Sequence, residues 1–246
     1  MSAQVDSRPT EPGVRAPMVI AIDGPAASGK SSTAQWVAQE LGFLHVDSGA
    51  LYRAATAARL RRATGPDEPW TEEQVLDAAQ AVTLVPGERS FVPLLDGVDA
   101  DEELRGSEVT RRVSQVARME GVRAWVNAHV RSAATSRAVV VDGRDIGTAV
   151  FPEAQLKIFL VADPWERARR RLIQRLGRGP ADDEIAEETD RLVQRDRLDA
   201  TQTVQAPDAV LIDTTYLTQR EQVERIAALA RAVTHRASDA SAIDAG

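Results

Sequence analysis

The sequence predicts an α/β fold built on a central parallel sheet flanked by helices. Three observations carry this. Short apolar runs recur along the chain, each followed by a stretch of helical spacing, which is the rhythm of β-α units. The runs do not alternate polar with apolar, so both faces of each strand are expected to be covered. The first run opens into a glycine-rich loop that leads straight into a helix.

The elements follow in order. "MVIAID" (18–23) reads as a buried strand bounded by glycine, and "KSSTAQWVAQELG" (30–42) as a helix stopped by Gly42. "FLHV" (43–46) is a second strand, and the Ala-rich "GALYRAATAARLRRATG" (49–65) a second helix. The texture then changes. "PDEPW" (66–70) breaks the pattern, Thr71 and Gln74 stand at capping-box spacing before a helix over 71–80, and 82–100 holds short β-like pieces with turns. We read about 66–105 as an insertion into one domain. Helices are expected at about 107–119 and 121–134, strands at 138–142 and 156–162, and helices at 163–179 and 182–200. A last strand (208–213) and a last helix (217–233) complete the domain, expected to span 18–233. Residues 1–17 and 234–246 read as polar disordered tails.

Composition narrows the function. The chain has 246 residues and a net charge of -7, whereas a general nucleic-acid binder is more often basic, so no nucleic-acid partner is expected. Without cysteine there is no disulfide or thiolate metal site, which suits a reducing, cytoplasmic setting. No apolar run approaches the roughly 18 residues that span a bilayer, and the first 17 have no signal-peptide core. His45, His129 and His235 show no metal-ligand spacing and read as structural or surface residues. Only two lysines occur, Lys30 and Lys157.

"GPAASGKS" (Gly24 to Ser31) matches G-x-x-x-x-G-K-S between a predicted strand and a predicted helix, the context in which this pattern cradles phosphate. Its backbone N–H groups and the helix start attract phosphate oxygens. Lys30 reaches the β- and γ-phosphates, and the Ser31 hydroxyl can hold Mg²⁺. The nucleotide-binding residues expected are Gly24, Pro25, Ala26, Ala27, Ser28, Gly29, Lys30, Ser31 and Ser32. The Asn-Lys-x-Asp element of a guanine reader is missing, because Lys157 lies in "QLKIF". A small protein of this kind with a second charged pocket points to transfer of a γ-phosphate to a small acceptor.

That second pocket has candidates. Ser48 and Arg53, in "VDSGALYR", stand at the start of a helix, where an arginine makes an anion site; a Ser N-cap with a solvated arginine is the plainer alternative. Ser114 and Arg123 lie on helical stretches and by themselves read as ordinary surface residues. "AVVVDGRDIGTAVFP" (138–152) runs a buried strand into Asp142, Gly143, Arg144 and Asp145, at the strand end where parallel sheets bind ligands.

The segments "IDGPAASGKSSTA", "VDSGALYRA", "VSQVARMEGVR", "VVVDGRDIGTAVFPEAQLKIFL" and "RDRLDAT" occur in the order seen in bacterial-type cytidylate kinases, and the resemblance runs from about Met18 to Val233. It implies a P-loop nucleoside monophosphate kinase fold with a five-stranded parallel sheet flanked by helices, an inserted monophosphate-binding subdomain and a short lid at about 167–182. It implies phosphoryl transfer from ATP, with Mg²⁺, to CMP and dCMP, by a monomer with small-molecule partners only. Carried over residue by residue, Arg144 and Arg195 resemble the arginines that grip phosphate, and Asp145 the residue that reads the cytosine amino group. Ser48, Arg53, Ser114 and Arg123 complete the acceptor site, and Asp199 the ribose contact. With Lys30, Arg144 and Arg195 form the implied catalytic set. Asp142 would help Ser31 hold Mg²⁺ through water. Plainer readings stay open: Asp142 as a strand-end acid bonded to loop N–H groups, an Arg144–Asp145 ion pair, and an Arg195–Asp199 surface pair. Arg167, Arg169, Arg170 and Arg171 lead into the lid, and any of them could face the transferring phosphate. UMP or shikimate as acceptor, or a nucleotide sensor without catalysis, are rival functions. One departure stands out: Gln202 occupies a position where these kinases have arginine. If the preceding helix continues, Arg195, Asp199 and Gln202 share a face, and either Arg191 is expected to compensate or the KM for CMP to be raised.

Overall fold

The computed structural model describes residues 17–65 and 68–243. The main sheet has five parallel strands: β1 (Val19–Asp23), β2 (Leu44–Asp47), β6 (Val139–Gly143), β7 (Leu156–Val161) and β8 (Val210–Asp213), in the spatial order β2-β6-β1-β7-β8. β1 and β6 are buried along their whole length, as their unbroken apolar character requires. The chain moves outward to β2, returns to β6, and only then crosses β1 to build β7 and β8. The order therefore reverses at β1, and the carboxyl end of β1 is where such sheets hold ligands.

Helices cover both faces. On one side α1 (Lys30–Leu41) and α9 (Gln219–Ile243) close over Ile20, Ile22, Val140, Ile158 and Leu160. On the other, α2 (Ser48–Arg61), α3 (Glu72–Ala79), α5 (Ser107–Val116) and α6 (Glu120–Ala133) pack around Ala21, Val46, Val139 and Val141. Local chemistry fixes the ends of several of these. Gly42 closes α1 in the left-handed conformation at φ 69°. Thr71 and Gln74 form the reciprocal capping box expected for α3. Asp163 caps α7 (Pro164–Leu176) by accepting from the Trp165 and Glu166 amides, and Pro164 occupies the first turn.

Residues 68–105 of the expected insertion form α3, a three-stranded antiparallel sheet of β3 (Val82–Pro86), β4 (Phe91–Leu95) and β5 (Val98–Asp99), and the short α4 (Asp101–Leu104). An isolated bridge between His45 and Ser90, the residue before β4, joins β2 to this part of the chain. α7 and α8 (Asp182–Asp199) stand side by side over the phosphate loop, joined by residues 177–181.

Two expectations are corrected. α9 does not stop at 233 but runs to Ile243, because "THRASDASAI" contains neither glycine nor proline to end it. The reading of 234–243 as a disordered tail therefore fails, while 244–246 and 1–16 lie outside the described residues, as do 66 and 67. A single π-turn, Ile146–Val150, was not expected; in it the Phe151 amide donates to the Ile146 carbonyl at 2.7 Å, an i+5 bond.

Candidate active site

The phosphate loop follows β1. A Cβ at Gly24 would lie 2.3 Å from the Leu160 carbonyl oxygen, so only glycine lets the loop pass β7 this closely. Ala27 and Gly29 take positive φ, at 58° and 87°, and turn the loop into the start of α1. Arg167 braces it from α7. Its guanidinium is buried, donates to the Ala26 carbonyl at 2.8 Å, and pairs at 2.7 Å with Asp196, which accepts from the Ala26 amide at 3.4 Å. Gly24, Pro25, Ser28 and Gly29 form the frame, while Ala26, Ala27, Lys30, Ser31 and Ser32 line a cavity of about 860 Å³. Lys30 Nζ donates to the Pro25 carbonyl at 3.0 Å. Loss of hydration, and then the Arg144 charge, push its pKa down to about 8.

Asp142 is buried at the end of β6 and is not bonded to loop amides. Its Oδ2 accepts from Ser31 Oγ at 2.5 Å, and its Oδ1 lies 2.7 Å from His45 Nε2. His45, read as structural or surface, is 7% exposed and lines the cavity. Burial opposes its protonation, but the bond to Asp142 and that residue's charge outweigh this and raise its pKa. The acid that does hold loop N–H groups is Asp23, which accepts from the Ile146 and Gly147 amides at 2.8 Å each and so fixes the π-turn. Burial raises its pKa to about 6 despite those two bonds. Ser48 is not the cap of α2. Asp47 takes that role, accepting from the Ala50 amide, and Ser48 Oγ donates to the Asp142 carbonyl at 2.8 Å. A Cβ at Gly143 would come within 2.6 Å of Ser48 Oγ, so the glycine of "DGRD" lets α2 close on β6.

The opposite wall is built from ion pairs. Arg123, from α6, pairs with Asp145, and Arg144 pairs with Asp199 of α8 at 2.9 Å, so an Arg144–Asp145 pair is not what forms. Arg195 is not an exposed surface partner of Asp199: its Nε is buried, 3.6 Å from Asp199 Oδ2, and lacks a hydrogen-bond acceptor. A buried guanidinium N–H without an acceptor in a cavity wall fits an anion bound there. Burial first, then Arg144, lower the Arg195 pKa. Burial raises that of Asp145, with Arg123 opposing. Arg53 donates to the Leu104 carbonyl at 3.2 Å and to Thr110 Oγ1 at 3.0 Å, tying α2 to the insertion. Ser114 lines the same cavity. The structure thus brings every expected acceptor-side residue to one space facing the phosphate loop.

Of the four lid arginines only Arg171 lines the cavity, held at 3.0 Å by Glu188. Arg167 braces the loop, Arg170 donates to the Thr214 and Thr215 carbonyls, and Arg169 faces Glu166 at 3.6 Å. Arg191 is corrected as the compensating arginine. Its side chain is 57% exposed and pairs with Glu187 and Glu188, away from the cavity. α8 ends at Asp199, so the helix does not carry on to Gln202, yet Gln202 still lines the cavity because its amide folds back on the Asp199 carbonyl at 2.9 Å. Sequence reasoning missed Asp23, His45, Asp196 and the selection of Arg171. An acid at the end of a buried strand was a visible signal for Asp23, but nothing local marked the others.

Among the described residues there is no group of three or more His, Cys, Asp or Glu side chains able to hold a metal. Ser31 and Asp142 alone fit a cation that takes most of its ligands from phosphate and water, as Mg²⁺ does. A Ser31 hydroxyl that donates to Asp142 keeps its lone pairs for such an ion.

The family model described as cytidylate kinase matches residues 20–232. The chain belongs to the cytidylate kinase family. A cytidylate kinase from Chlorobaculum tepidum is 40% identical over 230 residues, covering 90% of this chain and 96% of the relative. One from Geobacillus kaustophilus is 44% identical over 214 residues, covering 84% and 93%. A solved shikimate kinase from Bacteroides thetaiotaomicron overlays with a TM-score of 0.45 at 16% identity, covering 87% of this chain and 98% of that one, too distant to bear on the acceptor. No helix among the described residues is long and apolar enough to cross a membrane.

Proposed function

We propose that this member of the cytidylate kinase family transfers the γ-phosphate of ATP to CMP, and to dCMP, giving ADP and CDP or dCDP. The observation that carries the reading is one cavity with two unlike walls: the Lys30–Ser31 loop on one side, and the Arg123–Asp145 and Arg144–Asp199 pairs on the other. The acceptor phosphate is already an anion, so no general base is required, and the protein's task is alignment and charge neutralisation.

In this reading Lys30 leaves the Pro25 carbonyl for the β- and γ-phosphate oxygens, and the surrounding anions raise its lowered pKa again. Arg144 and Arg195 hold the acceptor phosphate, with Arg53 and Ser48 at its margin. Asp199 turns to the ribose hydroxyls. Asp145, whose charged form Arg123 favours, accepts from the cytosine N4 amino group, with Ser114 and Arg123 completing the base pocket. Uracil offers an acceptor oxygen there and leaves the carboxylate lone pairs that face the base without a donor, a cost of about 1–3 kcal/mol. Ser31 Oγ, and Asp142 through water, would hold Mg²⁺, which would supply positive charge beside the phosphates. The lid at about 167–182, with Arg171, excludes water as it closes. In this reading both substrates occupy the one cavity of about 860 Å³, and we place the enzyme in the cytoplasm as a monomer.

The deciding experiment is a coupled ADP-release assay with CMP, dCMP, UMP, AMP and shikimate. CMP and dCMP should lead by kcat/KM, and Lys30→Ala should nearly abolish transfer in a folded protein. Preference for another acceptor, or near-normal turnover by Lys30→Ala, would overturn the reading.

A further inference from the structure

His45 joins three parts of the molecule that the transfer reaction needs together. Its Nε2 lies 2.7 Å from Asp142 Oδ1, and the other oxygen of that carboxylate takes the Ser31 hydroxyl at 2.5 Å. Its backbone amide donates to the Arg89 carbonyl at 3.0 Å, and His45 pairs with Ser90 in an isolated bridge, the one between the main sheet and the insertion among the described residues. β2 is an edge strand of the main sheet, so this bridge is where its outer edge is held. The ring sits between these contacts, on a side chain 9% exposed, against an aspartate side chain that is 2% exposed.

The chemistry of the chain of bonds is directional. A carboxylate only accepts, so His45 donates from Nε2 to Oδ1, and Ser31 donates to Oδ2. Were Oδ1 unbound, a buried carboxylate would be short of a donor and free to rotate about its last torsion, toward Ser48 or Lys30. Pinned by His45, Asp142 holds the Ser31 proton and turns the Ser31 lone pairs outward. We propose that His45 is a positioning residue for phosphoryl transfer: through Asp142 it sets the Ser31 hydroxyl and the Mg²⁺ it would bind. It acts from the strand edge against which the acceptor-binding insertion leans. This rests on the kinase reading above. Partners that orient metal ligands in this way typically contribute about 10- to 100-fold in metal affinity or activity.

The test uses three variants of the full chain. His45→Phe keeps the ring's bulk and removes the donor. His45→Gln places an amide nitrogen near the position of Nε2. His45→Asn is polar but too short to reach Asp142. Two readouts are taken: the Mg²⁺ concentration for half-maximal rate, with kcat and KM for CMP, and calorimetric ADP affinity with and without Mg²⁺. The expected result for His45→Phe is a loss of about 10- to 100-fold in kcat and in the Mg²⁺-dependent gain in ADP affinity. Metal-free ADP affinity and KM for CMP should change less than about threefold, the signature of a positioning group whose loss spares ground-state binding. His45→Gln should recover most of the loss. If His45→Phe does not fold, His45→Asn carries the same expectation. A lowered melting temperature with unchanged Mg²⁺ dependence, or no recovery in His45→Gln, overturns the proposal. The kinase reading fails separately, if the wild-type protein binds Mg²⁺–ADP but does not phosphorylate CMP.

Discussion

The Asp23 carboxyl accepts from two amides and is 3% exposed, yet its pKa is raised to about 6 from 3.8, because burial outweighs both bonds. A raised carboxyl favours the protonated native state. Its contribution to stability is complete below pH 3.8 and is lost as the pH rises through about 6. Asp23→Asn cannot titrate, so the stability of wild type relative to the variant should fall by about 1–3 kcal/mol between pH 3.5 and pH 7. Denaturant melts of both proteins at each pH measure this, and a flat difference would refute it. Asp145 is the matching case in the proposed base pocket. Its raised pKa means that falling pH protonates it, and a protonated carboxyl can donate to the uracil oxygen. The CMP/UMP ratio of kcat/KM should therefore narrow as pH falls below neutrality. Asp145→Asn should show the narrowed ratio at every pH, because an amide also donates. A ratio unchanged by either would remove Asp145 as the base reader. Motif residues such as Lys30, Ser31, Arg144 and Asp145 were legible in sequence because local spacing defines them. His45 and Asp196 were not, because their partners lie 97 and 170 positions away in the chain.

At the scale of elements, α7 and α8 divide their arginines by direction. Arg167 points inward and braces Ala26, Arg171 lines the cavity, and Arg191 points outward to Glu187. The buried Glu188 receives Arg171, Arg175 and Arg191, so it aligns the two helices beside the site. Arg171→Ala should lower kcat by about 10²- to 10³-fold, the usual effect of removing one donor aimed at developing charge. Arg191→Ala should leave kcat and KM within about twofold, since an exposed pair contributes little. Equal effects of the two substitutions would mean that helix stability, not phosphate contact, is being measured. Gln202→Arg should lower KM for CMP by about tenfold, the low end for a charge-assisted bond, because Arg144 and Arg195 already crowd that wall. The strand and helix order was readable from apolar runs and glycine stops. The π-turn was not, because it depends on Asp23 reaching across from β1 to the Ile146 and Gly147 amides. The end of α9 was misjudged because its last ten residues are polar but hold no breaker.

At the scale of the whole molecule, the proposed acceptor wall is assembled from α2, α5, α6, β6 and α8, which meet only in the folded chain, so CMP should bind the native state and not the unfolded one. Such a ligand stabilises by RT ln(1 + [L]/Kd), about 2.7 kcal/mol at 100 times its Kd. For a chain of this size each kcal/mol moves the melting temperature by about 2–4 °C, so CMP at that concentration should raise it by about 5–11 °C. UMP at the same concentration, if tenfold weaker, would act at about ten times its own Kd and contribute about 1.4 kcal/mol, or about 3–6 °C. The gap between the two nucleotides is thus a reading of base discrimination without any turnover. Asp145→Asn should close most of that gap. Arg144→Ala should shrink both shifts alike, because it removes the proposed phosphate contact common to both ligands and leaves Asp199 without its 2.9 Å partner. A gap that persists in Asp145→Asn would place base recognition elsewhere in the cavity. Unequal losses in Arg144→Ala would mean that the arginine acts on the base and not on the phosphate.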